Sequence, residues 1–172
     1  MHLYHAVPYN MTGTVLYPLN QLRQLDAGLY AAQAAKYKGR RRLTKLRIPL
    51  LDNCLWNDVL FLTAVHPSEF RKAFESAGYV RPRPFRAFEF KLADLDLSRT
   101  AVITKMQPGE PKEYEQFDPA KYAEYASVPQ TTMNYWREQL AAGQARPLLY
   151  LHIPHILFRG SLETTNAKVV EA

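Results

Sequence analysis

FRAFEFKLADLDLSRTAVITKM, residues 85–106, decides the fold class. Phe85 to Leu92 alternates apolar and polar side chains with period two, as a half-buried strand does, and Thr100 to Met106 reads as a second strand. Only a short polar connection separates them, with no helix between. Two strands in direct succession argue against a strictly alternating, doubly wound parallel fold and for an α+β arrangement.

Outward from this pair the same mixture continues. HLYHAV (2–7) is short and β-prone and stops before Pro8. From Leu19 the spacing turns helical, and DAGLYAAQAAKYKG (26–39) predicts a helix with Asp26 as its N-cap and Gly39 as its stop. DVLFLTAV (58–65) reads as a buried strand, followed by a helix that Pro67 opens and Gly78 closes. QPGEPKEYEQFDP (107–119) is polar and Pro-rich and reads as a surface loop. Asp118 and Pro119 start a short helix, and TTMNYWREQLAAG (131–143) predicts another. PLLYLHI (147–153), HILFRG (155–160) and AKVVE (167–171) are read as the last strands. The expectation is one α+β domain over 1–172, with about seven strands in a split, mixed or antiparallel sheet and four or five helices.

Composition narrows the class further. The chain has 172 residues, 47% hydrophobic and 22% charged, which excludes a disordered chain or a fibre. A single cysteine excludes an internal disulfide, and no apolar run is long enough to span a bilayer. MHLYHAVPYN lacks the basic and apolar regions of a secretion signal, which predicts a cytoplasmic protein with no membrane partner.

The charge is uneven. Lys and Arg number 22 against 16 Asp and Glu, a formal balance of +6. KYKGRRRLTKLR (36–47) alone holds Lys36, Lys38, Arg40, Arg41, Arg42, Lys45 and Arg47 with no acid, so the remainder is close to neutral. Such a run suits phosphates of a nucleic acid or nucleotide, because guanidinium forks match phosphate oxygens and counterion release drives binding. The alternative is a solvated helix end, where basic residues also favour the dipole.

Few residues invite a catalytic reading. Among the five histidines, His152 and His155 are three apart across Pro154, which in an extended segment puts them on opposite faces and disfavours a metal pair. Cys54, beside Leu55 and Trp56, reads as packing rather than nucleophile. No glycine-rich dinucleotide loop, P-loop or nucleophile elbow is present. Three sets of polar groups lie at strand ends, where sites are built: His5, the Trp56-Asn57-Asp58 cluster, and His155 with Arg159 at the two ends of one strand.

LYHAVP (3–8), followed by a polar turn and TVLYPLNQL (14–22), resembles the opening of the ADP-ribosyltransferase-like superfamily, which includes DNA-targeting toxins of the DarT type and RNA 2′-phosphotransferases. IPHILFRGSLETTNAKVV (153–170) is similar to the closing segment of a family of small uncharacterised proteins in that superfamily, and NDVLFLTAVHPSEFRKAFESAG (57–78) resembles its strand-then-helix unit. The resemblance implies NAD as substrate, with His5 at its ribose and nicotinamide, and Tyr17 or Tyr30 as the stacking aromatic. Asn57, Asp58 and Arg159 join them as cofactor-binding candidates, and His155 and Glu163 as catalytic ones. Two departures stand out: Ala6-Val7 follows His5 where Thr is usual, and the family's acid has no clear match, Glu163 lying beyond the strand. A loss of that acid would remove the group that polarises the ribose 2′-hydroxyl.

Three functions are therefore expected in competition. One is an enzyme that cleaves or transfers from NAD or a related nucleotide to a nucleic-acid acceptor. Another is a non-catalytic nucleic-acid-binding module that uses residues 36–47. The third is a component of a toxin or antitoxin type that binds a protein partner.

Overall fold

The computed structural model describes residues 1–39, 41–80, 83–105 and 112–172. Along the chain run β1 (His2–Ala6), β2 (Val15–Leu16), α1 (Leu19–Leu25), α2 (Ala27–Ala34), α3 (Arg41–Thr44), β3 (Arg47–Ile48), β4 (Cys54–Leu55) and β5 (Val59–Leu62). There follow α4 (Pro67–Ser76), β6 (Arg86–Lys91), β7 (Thr100–Lys105), β8 (Glu113–Gln116), α5 (Tyr122–Tyr125), α6 (Gln130–Ala141), β9 (His155–Arg159), β10 (Leu162–Glu163) and β11 (Lys168–Glu171). The fold is α+β, as the succession of β6 and β7 required. Seven of the strands have four or more residues, and β2, β3, β4 and β10 are two-residue pairs.

Among the described residues every strand pairing is antiparallel. One sheet has the order β1-β6-β11 and the other β5-β9-β7-β8, with β10-β2 and β3-β4 as separate pairs. The two larger sheets meet at a single bridge, where Tyr4 N donates to Thr63 O at 2.8 Å and Thr63 N to Tyr4 O at 3.0 Å. Beyond Tyr4 the pairing is not continued. His5 and Ala6 therefore sit on the edge of a gap opposite Phe61 and Leu62.

Alternation along β9 explains its packing. Ile156 and Phe158 enter the interior shared by the two sheets, with Leu3, Leu60, Leu62, Phe88 and Val102. Leu157 enters a second cluster with Ile48, Cys54, Trp56, Val59 and Ile103. His155 and Arg159 share the Leu157 face, at its two ends. A third, aromatic cluster holds α4 against α6 through Phe70, Phe74 and the fully buried Trp136.

Local chemistry sets the helix ends. Asp26 Oδ1 accepts from Leu29 N at 2.8 Å and caps α2, an arrangement that typically contributes about 1 kcal/mol. Pro67 opens α4, where His66 Nδ1 accepts from Ser68 N at 3.1 Å. Gly78, at φ +97°, ends it in a conformation that an L side chain resists.

Two expectations fail. Pro147 to Ile153 forms turns rather than a strand, because His152 takes φ +65° and Ile153 N donates back to Tyr150 O at 3.3 Å. Its carbonyls serve helix α6 instead: Leu151 O accepts from Thr132 Oγ1 at 2.8 Å and Leu148 O from Trp136 Nε1 at 3.3 Å. The expected loop 107–119 contains β8, an edge strand on β7 in which Tyr114 packs on the second cluster. Polar side chains suit such an edge because they discourage further pairing. Residues 107–111 of that loop lie outside the described residues. Among the described residues no helix is long and apolar enough to cross a membrane.

Candidate functional site

The gap beyond the Tyr4–Thr63 bridge is a cleft of about 310 Å³, with His5, Gln33, Phe61, Tyr150 and His155 in its walls. A narrower extension of about 90 Å³ shares His5, Gln33 and Phe61 with it and continues to Tyr17, Tyr37 and Asn57. Its outer wall is one helical face: Leu29, Gln33 and Tyr37 recur at four-residue spacing along α2 and the 3₁₀ turn that follows. The combined space is of the size that small-molecule sites occupy.

Both histidines have a fixed orientation. His155 Nδ1 lies 2.8 Å from Ile153 O, and His5 Nδ1 lies 2.7 Å from Ala6 O. A carbonyl can only accept, so in each ring Nδ1 carries the proton that makes this bond. In neutral His155 the basic lone pair is consequently on Nε2. Phe61 and Tyr150 stand edge-on to the His155 ring, with centroids 6.3 and 6.0 Å away. Burial pushes the His155 pKa below its ordinary value; the bond to Ile153 opposes the shift and the Lys112 cation adds to it. The imidazole is neutral at neutral pH.

Asn57 supplies a different signal. It is 6% exposed, lines the narrow extension, and its Oδ1 is buried with no hydrogen-bond partner. An orphaned buried acceptor costs about 1–3 kcal/mol, so it marks a place where a donor is missing. Asp58, next to it, is fully engaged: Oδ1 accepts from Asn20 Nδ2 at 2.6 Å and Oδ2 from Leu55 N at 2.8 Å. Asp58 therefore fixes the turn that presents Asn57 and does not itself line the cleft.

No protein-family model, curated protein or solved structure matches this chain. The cleft and its narrow extension bring together His5, Tyr17, Asn57 and His155. Tyr30, half-buried on α2, is not among the lining residues, so Tyr17 is the aromatic of the two that reaches the wall. Glu163 is exposed on β10, where it pairs with Val15, one strand removed from the cleft. Among the described lining residues there is no carboxylate.

Arg159 lies at the far end of β9, ion-paired with Asp52. Lys38, Arg42, Lys45 and Arg47 are exposed around α3, and Arg47 Nη1 donates to Asn53 O at 2.9 Å. Arg40 lies outside the described residues, as do the side chains of Lys36 and Arg41. The basic run thus leaves the same helix whose Leu29–Gln33–Tyr37 face walls the cleft. Cys54 is buried, and burial raises its thiol pKa, which suits packing. Among the described residues no group of three metal-ligating side chains is found.

Sequence reading missed Phe61, Tyr150 and Gln33. The first two read as core strand positions, while Gln33 carried a signal: a polar residue four from Leu29 and four from Tyr37 in an Ala-rich helix.

Proposed function

We propose that the cleft binds a nucleotide of the NAD class and that the protein cleaves its nicotinamide–ribose bond, with water or a nucleic-acid hydroxyl as acceptor. The observation that carries this reading is the convergence of two oriented imidazoles and an orphaned acceptor, Asn57 Oδ1, on one partly apolar cleft. Asn57 Oδ1 takes a hydrogen bond from a carboxamide or amino N–H, and Tyr17 and Phe61 offer ring surface to a flat heterocycle. His5 contacts the ribose, the role that the resemblance of LYHAVP suggests.

His155 Nε2 is the proton acceptor. The C1′–N1 bond breaks and nicotinamide leaves with the bonding pair; the acceptor oxygen forms the new C1′–O bond, and its proton passes to Nε2. A general base of this kind contributes about 10²–10⁴-fold when its pKa lies below the operating pH and it stays unprotonated. The acid suggested by the resemblance, Glu163, is away from the cleft, so the described walls lend the ribose no carboxylate and the chemistry rests on orientation and proton acceptance.

Incubation of the purified protein with NAD, followed by chromatographic detection of nicotinamide, tests the reading. Release that is lost in His155→Ala and weakened in His5→Ala supports it. No release, together with no heat of NAD binding by calorimetry, overturns it.

A second reading, non-catalytic binding of single-stranded nucleic acid, is favoured by the exposure of Lys38, Arg42, Lys45 and Arg47. It predicts oligonucleotide affinity that falls steeply with salt and with charge reversal at Arg42, while NAD is left intact.

A further inference from the structure

At the opposite end of β9 from the histidine cleft, a polar recess of about 410 Å³ opens between Asp52, Ser98, Arg99 and Arg159. Arg99 is exposed and lies over Phe158 and Gly160. Its guanidinium carbon lies 5.2 Å from the centroid of the Phe158 ring, a cation–π arrangement, and the group stands directly over Gly160, where a methyl would overlap Nη2. Gly160, at φ +120°, leaves that space open. Among the described residues Arg99 forms no ion pair.

The recess is organised by a strained turn. Asp52 and Asn53 take φ +50° and +54° in succession, the left-handed region that residues with a side chain rarely adopt. Two arginines hold it: Arg159 pairs with the Asp52 carboxylate, and Arg47 Nη1 donates to Asn53 O at 2.9 Å. Arg47 is the last cation of the basic run, Arg99 precedes β7 and Arg159 ends β9. Three guanidinium groups from distant parts of the sequence therefore border one turn. The carboxylates opposing them are Asp52, whose side chain is 86% exposed, and Asp96, which accepts from Ser98 N at 3.1 Å and Ser98 Oγ at 2.6 Å.

We propose that this recess is a phosphate site, separate from the histidine cleft, in which Arg99 and Arg159 bind the phosphate groups of a nucleic-acid strand that also passes Lys38, Arg42 and Lys45. Paired guanidinium forks suit a tetrahedral oxyanion, and Arg99 already rests on the Phe158 ring at the wall of the recess. Arg159 is released to the phosphate when Asp52, which is almost wholly in solvent, yields its place.

The test is a titration of ¹⁵N-labelled protein, following the arginine Nε–H signals and the backbone amide signals of the lysines, with inorganic phosphate and with a single-stranded DNA oligomer bearing 5′-hydroxyl ends. Both probes shift Arg99 and Arg159, and the oligomer additionally shifts Lys38, Arg42 and Lys45 and binds more tightly. Replacing either arginine with Gln weakens oligomer binding about tenfold, the value of one charge-assisted contact; Arg99→Lys does not restore it. Because Arg159→Gln also frees Asp52, Arg99→Gln is the deciding variant, and its thermal midpoint establishes folding. Response to inorganic phosphate but not to the oligomer assigns the site to a free anion and overturns the strand proposal. Shifts confined to Lys38, Arg42 and Lys45 overturn the site altogether.

Discussion

The two ends of β9 hold their polar groups in opposite ways. His155 is bracketed by Phe61 and Tyr150 and spends one ring nitrogen on a backbone carbonyl, so burial keeps it uncharged. Arg159, four residues later on the same face and about 13 Å away, is 41% exposed and keeps its charge against an exposed carboxylate. The contrast teaches that the strand's alternation sets only which face a residue occupies. Residue type and packing together set what each end presents: an imidazole whose charge burial suppresses at one, an exposed guanidinium at the other.

The largest expected effect tests the neutral end. His155→Ala is expected to lower nicotinamide release from NAD by at least about 10²-fold while oligonucleotide binding is unchanged, as read by product chromatography and by fluorescence anisotropy. Equal losses in both assays would erase the division between the two ends.

Acidity sharpens the same contrast. His155 is neutral in the fold and protonates more readily when unfolded, so the unfolded chain binds more protons below its ordinary pKa of about 6.5. Stability is thus full above that value and falls as pH drops through it. Urea midpoints at neutral and mildly acidic pH measure the loss, which His155→Gln should reduce. Turnover should hold to lower pH than an ordinary imidazole base allows, then fall about tenfold per pH unit.

A smaller effect concerns Asn57. Asn57→Leu removes an unsatisfied acceptor at similar volume and should raise stability by about 1 kcal/mol, seen in the denaturation midpoint, while NAD binding weakens. Lower stability would show that Oδ1 has a partner in the free protein. Smallest is Asp52→Asn. Loss of an exposed ion pair should cost under about 1 kcal/mol, and phosphate affinity should rise as Arg159 is released.

Much of this arrangement was legible from particular residues. Asp26, Gly39, Pro67, Gly78 and Pro119 punctuate the helices because each acts through its own backbone or first hydrogen bond. His5, Asn57 and His155 were singled out at strand ends and Tyr17 by the resemblance, and they line the cleft and its narrow extension. Long-range assembly was not legible. Asp58 looked like a ligand group but binds Asn20, 38 positions away, and Arg99 was invisible because its importance comes from Gly160 and Phe158. PLLYLHI misled for the same reason. Its apolar run is that of a buried strand, yet two of its carbonyls are taken by Thr132 and Trp136 of helix α6.

The two tryptophans give the molecule separate optical reporters. Trp136, fully buried in the aromatic cluster of α4 and α6, emits according to the integrity of the fold. Trp56 lies 4.8 Å by ring centroid from Phe61, which lines the cleft, so its emission responds to what enters there. Removing either indole leaves a single tryptophan, and a change in its emission on adding NAD can then be assigned to occupancy or to unfolding without any added label.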